Sequence, residues 1–208
     1  GYPPTLRCQN STDTLVIWNR TGAAVQLGTI SLVPSSATAF LTVQQLVGNN
    51  TILPQDSALF AITFTPTDPP DGPRSATLQF TTTDPQRPLL QVPIVGERAT
   101  QQLTFPLINF FNTPVSTSAS VRQLLQNSGT ASVEIRSLTA PPPLRVVATR
   151  PGLPITLKVG ESVEVELEFS AATAGTFGDS IRVVGTFPCG ETPAFPISGR
   201  AVAQLDLS

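Results

Sequence analysis

Two cysteines, Cys8 and Cys189, carry the most distinctive chemistry in this chain of 208 residues. A pair of thiols can stay free or close a disulfide, but two thiolates alone fall short of the four ligands of a structural zinc site. Histidine is absent. That removes the Ser-His-Asp and Cys-His catalytic arrangements and every His-containing zinc site. Enzyme chemistry would have to rest on a pair of carboxylates, as in glycosidases, and nothing in the order of the acids sets two of them in one cleft. The chain is therefore read as non-enzymatic, with no catalytic residue, no cofactor and no metal.

The remaining candidates each have a plainer reading. Asp68-Pro69-Pro70-Asp71-Gly72 could be half a calcium site, yet calcium takes six to eight oxygens, and two Asp among prolines more often make a turn. Glu164, Glu166 and Glu168 could meet a basic partner; as every second residue of a strand they read as a solvated face that also discourages edge pairing. Asn10, Asn19 and Asn49 each open an Asn-x-Ser/Thr triplet, a glycan acceptor in a eukaryotic secretory route, although a Ser- and Thr-rich sequence produces such triplets by chance. Trp18, the one tryptophan, is expected in a core or at a domain junction rather than as a ligand platform. Phe110 and Phe111 are adjacent, so one must face outward, and packing at a domain junction is expected.

Positioning any of these residues falls to β-strands. Pro (21) and Gly (14) punctuate short apolar runs throughout the sequence. Val163, Val165, Leu167 and Phe169 alternate with the three Glu; Phe60, Ile62 and Phe64 alternate in the same way. A half-buried antiparallel strand needs this period of two, because successive side chains point to opposite faces. The two alternating segments occupy matching places in an internal repeat of about a hundred residues, the size of one small domain. Asn19-Arg20-Thr21-Gly22 matches Asn127-Ser128-Gly129, each after an apolar strand (Thr14 to Trp18; Val121 to Gln126). Asp56-Ser57 matches Glu161-Ser162, Gly72 matches Gly175, and Ala76 to Phe80 matches Asp179 to Val183. Val92-Pro93-Ile94-Val95-Gly96 matches Phe195-Pro196-Ile197-Ser198-Gly199. The expected fold is all-β: two tandem immunoglobulin-like β-sandwich domains, residues 1–98 and 99–208, joined by a short linker near Glu97 to Gln101.

This ordered series resembles the bacterial ASH-type Ig-like domains, the abnormal-spindle/Hydin class related to the major sperm protein fold. The first repeat carries Pro54-Gln55-Asp56-Ser57, Phe64-Thr65-Pro66 and Val92 to Gly96; the second carries Val159-Gly160-Glu161-Ser162, Phe169 and Phe195 to Gly199. Ser170-Ala171 departs from the expected x-Pro after Phe169. The first repeat also has only about ten residues before its Thr14 strand, where the second has about twenty, including Leu103-Thr104-Phe105. Its opening strand is expected to be mostly missing, by trimming of the fragment, or supplied in trans by edge pairing. The resemblance implies no activity; it implies spacers, scaffolds and interaction modules.

Cys8 precedes the second strand of the first repeat, and Cys189 lies in the loop before the last strand of the second. In head-to-tail sandwiches those positions fall at facing poles, so an interdomain disulfide Cys8–Cys189 is geometrically possible; two free thiols are the alternative. Closing so long a loop stabilises by about 4–5 kcal/mol in the chain-entropy model, and the bond implies an oxidising compartment. The expected function is a non-catalytic structural or spacer module of a larger secreted or cell-surface protein. The alternative is a protein-binding module that captures a partner strand or peptide at an open sheet edge. Expected partners are neighbouring domains of the same parent chain and another protein by strand addition. Nucleic acid is not expected, since eleven Arg and one Lys are scattered without a basic face and the net charge is −2. No apolar run reaches the ~18–20 residues that span a bilayer, so membrane insertion by this fragment is not expected. The expected location is extracellular or on a bacterial cell surface, with the cytoplasm second.

Overall fold

The computed structural model describes residues 1–203. Backbone proximity divides the chain into two compact units, Gly1–Thr100 and a second from Gln101 onward. The first unit contains β1 (Pro4–Leu6), β2 (Ser11–Trp18), β3 (Val25–Val33), β4 (Leu41–Val47), β5 (Thr51–Ile52), β6 (Ser57–Phe64), β7 (Gly72–Thr82) and β8 (Leu89–Ala99), with a 3-10 turn at Ser35–Ala39. One sheet has the order β1-β8-β7-β3-β5 and the other β2-β6-β4. The second unit contains β9 (Leu103–Thr104), β10 (Ile108–Pro114), β11 (Ala119–Asn127), β12 (Val133–Thr139), β13 (Leu144–Arg150), β14 (Ile155–Leu157), β15 (Ser162–Phe169), β16 (Gly175–Thr186) and β17 (Ala194–Val202). Its sheets run β10-β17-β16-β12-β14 and β13-β15-β11-β9. Each unit is an immunoglobulin-like β-sandwich.

The alternating segments are the central strands, as their period requires. β6 buries Phe60, Ile62 and Phe64, and β15 buries Val163, Val165, Leu167 and Phe169, each facing a core drawn from both sheets of its unit. The strand β8 continues through Glu97–Ala99, which the sequence assigns to the linker, because β1 pairs with those residues on one side and Gly72–Pro73 on the other. Backbone proximity places the division after Thr100.

Two arrangements recur in both units and account for the repeated residues. The first is a buried asparagine at the C-terminal end of β2 and of β11. Asn19 is 4% exposed and Asn127 fully buried. The Asn19 side-chain amide donates to Ala23 O and Ile52 O, both at 2.8 Å, and its oxygen accepts from Thr21 N at 2.9 Å. Asn127 donates to Ala131 O at 2.9 Å and Leu157 O at 3.0 Å, and accepts from Gly129 N at 3.0 Å. Their main chains bond to the turn before the central strand, Asn19 with Asp56 and Gln55, Asn127 with Glu161 and Gly160, all at 2.9 Å. That turn needs one residue in the left-handed region. Gly160 takes it without a side-chain penalty (φ 80°), whereas in the first unit Gln55 takes it (φ 64°).

The second arrangement is a phenylalanine ring seated on a glycine. A Cβ on Gly96 would stand 2.8 Å from the Phe64 ring, and one on Gly199 would stand 2.7 Å from the Phe169 ring. These glycines are required by close approach, so the last strand can lie against the aromatic end of the central strand.

Each arrangement yields a measurable consequence. Asn127→Ala leaves two buried carbonyls and an amide without partners and is expected to cost about 3 kcal/mol. Gly199→Ala forces a methyl into the Phe169 ring and is expected to cost about 1–3 kcal/mol. Chemical denaturation midpoints relative to the unmodified chain check both; unchanged midpoints would remove the structural role assigned to these residues.

Candidate functional site

The first unit differs from the second at one edge, and that edge is the candidate site. In the second unit β9 flanks β11, with Thr104 opposite Gln126 and Leu103 opposite Asn127. The N–H groups of Ser128 and Gly129 donate to Gln102 O at 2.9 and 3.1 Å, fixing the segment that enters β9. Leu103 is buried in the core, and Phe105 packs near Phe195 with ring centroids 5.8 Å apart. In the first unit β2 is itself the edge of its three-stranded sheet, and no strand among the described residues takes the place of β9. β1, three residues long, pairs in parallel with β8, as the seven-residue β10 pairs with β17 in the second unit.

Side-chain burial follows the missing cover. Leu125 is 1% exposed, whereas its counterpart Ile17 is only half-buried. A cavity of about 430 Å³ opens behind the end of β2, lined by Ile17, Asn19, Leu27, Ile52 and Leu90, with Arg20 and Arg87 also on its wall. A second cavity, of about 150 Å³, lies further along β2 beside Leu15, Ile62 and Val92. The wall of the larger cavity combines strand residues with Arg20 and Thr21 of the loop between β2 and β3 and with Asp84, Gln86 and Arg87 of the loop between β7 and β8.

Tyr2 closes the far side of the smaller cavity. Its ring stacks on Phe64 at 5.5 Å and 22°, as Phe110 stacks on Phe169 at 5.7 Å and 21°. Its N–H donates to Val95 O at 2.9 Å and its hydroxyl to Ile62 O at 2.5 Å. Tyr2 thus gives the first unit the aromatic stack that Phe110 gives the second. Burial, and secondarily the negative charge of Asp13, push the Tyr2 phenol up to about 12, with a backbone hydrogen bond at Asp13 acting the other way.

Several expectations require correction. Trp18 is not a core residue: alternation along β2 turns it outward, and it is 59% exposed beside the larger cavity. Of the adjacent pair, Phe110 is buried and Phe111 is 77% exposed. Asn19 cannot accept a glycan, since its side-chain amide is buried and both bonds of that nitrogen are taken; Asn10 and Asn49 are exposed. Glu164, Glu166 and Glu168 guard no edge, because β15 lies between β13 and β11. Arg122 meets Glu166 at 3.3 Å and Arg145 meets Glu168 at 2.7 Å, surface pairs that contribute little. In the Asp68–Gly72 turn, Asp71 pairs with the buried Arg98 and accepts from Thr100 at 2.5 Å, so its charge serves the turn. Among the described residues no group of three or more His, Cys, Asp or Glu converges as metal ligands would. Cys8 lies between β1 and β2 and Cys189 between β16 and β17; neither is a free thiol, and both are in disulfide form.

The family model described as HYDIN/CFA65/VesB-like, Ig-like domain matches residues 99–192. No curated protein matches the sequence. Among solved structures the chain is similar to the ASH/PapD-like domain 7 of human CEP192, at 18% identity over 50% of this chain and 87% of that one, with a TM-score of 0.38. It is similar to the VesB protease of Vibrio cholerae at 12% identity, over 80% of this chain and 65% of that one, with a TM-score of 0.39. It is also similar to the C-terminal domain of the AgI/II polypeptide BspA of Streptococcus agalactiae at 8% identity, over 96% and 95%, with a TM-score of 0.48.

The Tyr2 environment sets a pH test with a clean reporter, since the chain has one tyrosine. Folding favours the neutral phenol, so its contribution to stability is intact below about pH 10 and is withdrawn as pH rises from there through 12. Phenolate absorbance in the near ultraviolet is expected to rise with a midpoint near 12; a midpoint at the ordinary value of a free tyrosine would mean that Tyr2 is not docked on Phe64.

Proposed function

We propose, from the premise that residues 99–192 are an Ig-like domain of the HYDIN/CFA65/VesB-like family, that this chain is a non-catalytic structural module of a larger secreted or cell-surface protein. What carries the reading is the duplication. Two units each hold a complete core, the same buried asparagine and the same ring-on-glycine seat. Such a design spaces or presents what is attached to it. The oxidised state of both cysteines supports a location outside the cytoplasm, in an extracellular or bacterial cell-surface setting. With two cysteines in the chain, the bond we assign is Cys8–Cys189, which would tie the domains 1–98 and 99–208 to each other and restrict their bending.

A second reading is favoured by one observation, the uncovered edge of β2 with cavities behind it. An unpaired edge offers main-chain donors and acceptors to an incoming strand, so the first unit is suited to capture an extended segment of another protein.

Mass mapping of a non-reducing digest is expected to join the peptide of Cys8 to that of Cys189 in monomeric protein, and a Cys8–Cys8 linked dimer would overturn the assignment. Small-angle scattering is expected to show a narrower spread of domain distances in oxidised than in reduced protein. An oxidised pair that bends freely would count against the spacer.

A further inference from the structure

The two units share a fold but differ on the outer face of their smaller sheets. We propose that the outer face of β2-β6-β4 in the first unit packs on the same face of a second copy of this chain, forming a reversible two-fold dimer. The patch is centred on Leu59 of β6 and Val47 of β4, the two strands away from the uncovered edge of β2.

Register fixes what the face carries. One row across the three strands is Val16, Leu59 and Val47, and the next is Thr14, Ala61 and Gln44. No outward position of these strands holds a charge. Val16 is 40% exposed and Val47 56%, and Leu46, the bulge residue beside them, is 51% exposed. With Phe64 matching Phe169, the second unit has Glu164, Glu166 and Glu168 where the first has Leu59, Ala61 and Thr63. Arg122 and Arg145 pair with those acids across that face. Contiguous apolar surface with a polar rim marks a contact surface, and only the first unit has it here.

Charge and area select the occupant. A face without charge meets a copy of itself with no like-charge repulsion and no ion left unpaired. It offers nothing to an acidic or a basic partner. Stacking the corresponding face of the second unit would strip water from its Glu and Arg side chains, a cost that Leu59 and Ala61 do not incur. Contact is thus confined to one face per chain, which closes a pair about a two-fold axis instead of building a filament. Strands of eight residues, at about 3.3 Å per residue and about 4.8 Å between strands, give a face of about 15 Å by 26 Å. That is small against the ~800 Å² per partner of a stable complex, so the pair dissociates on dilution.

The test uses the oxidised chain isolated as the covalent monomer. Sedimentation equilibrium from micromolar to millimolar concentration is expected to show the mass rising toward twice that of the chain. Amide NMR shifts on dilution are expected along β2, β4 and β6 and absent along β15. The emission of Trp18, the sole tryptophan, is expected to move to the blue as the pair forms. Leu59→Glu gives the first unit the side chain that the second carries at Glu164. It is expected to weaken association by more than about tenfold, since two carboxylates then face each other across the axis. Should that variant fold poorly, Thr14→Arg/Ala61→Glu copies the Arg122–Glu166 pair onto the face and carries the same expectation. A chain that stays monomeric at millimolar concentration would overturn the proposal. So would a dimer that neither variant weakens, or one whose shifts lie off these three strands.

Discussion

Each sandwich depends on one buried amide. Asn19 and Asn127 stand at the ends of β2 and β11, where the chain must leave the sheet and cross to the other layer. A chain turning inside a core strands main-chain groups away from water, and leaving them unpaired costs as much as the lost hydrogen bonds. The asparagine side chain, with two donors and an acceptor, meets three of these groups at once. It reaches the short strands β5 and β14 through Ile52 and Leu157 and the adjoining loop through Ala23 and Ala131. Two layers that share no main-chain ladder are thereby bound at one pole, and the central strand is entered in fixed register through the turn at Asp56 or Glu161.

What the sequence makes legible is what has a period or a fixed local chemistry. The inward faces of β6 and β15 follow from alternation, and the Asn-x-Gly, Asp-Ser and Gly-closing landmarks follow from turns that only certain residues satisfy. The resemblance to ASH-type domains rests on those same positions. The candidate site was less visible because it is defined by an absence and by direction. Trp18 follows three apolar residues and looks like core, yet the phase of β2 sends it to solvent. The short opening stretch does not show that Tyr2 stacks on Phe64 as Phe110 does on Phe169. Nor does composition show that Asp71 is held by Arg98, since the partner is distant in sequence and only the pairing of β7 with β8 brings it near.

The contrast between the units also separates folding from use. The core of the first unit is closed by Phe60, Phe64 and Phe80, all fully buried, so its fold does not wait on the uncovered edge. Proteins commonly blunt such edges. Here the edge carries outward Val16 and Trp18, with open volume behind it.

The parallel pairing of the opening strands carries a mechanical consequence. When a domain is pulled by its first and last strands, lateral bonds between parallel neighbours are loaded together, so rupture requires them to fail in concert. In the first unit three residue pairs, Pro4 to Leu6 against Glu97 to Ala99, share that load; in the second there are five. Where Cys8 is bonded to Cys189, tension between the chain ends passes through that bond and bypasses residues 9–188, so neither clamp is loaded until the disulfide is reduced.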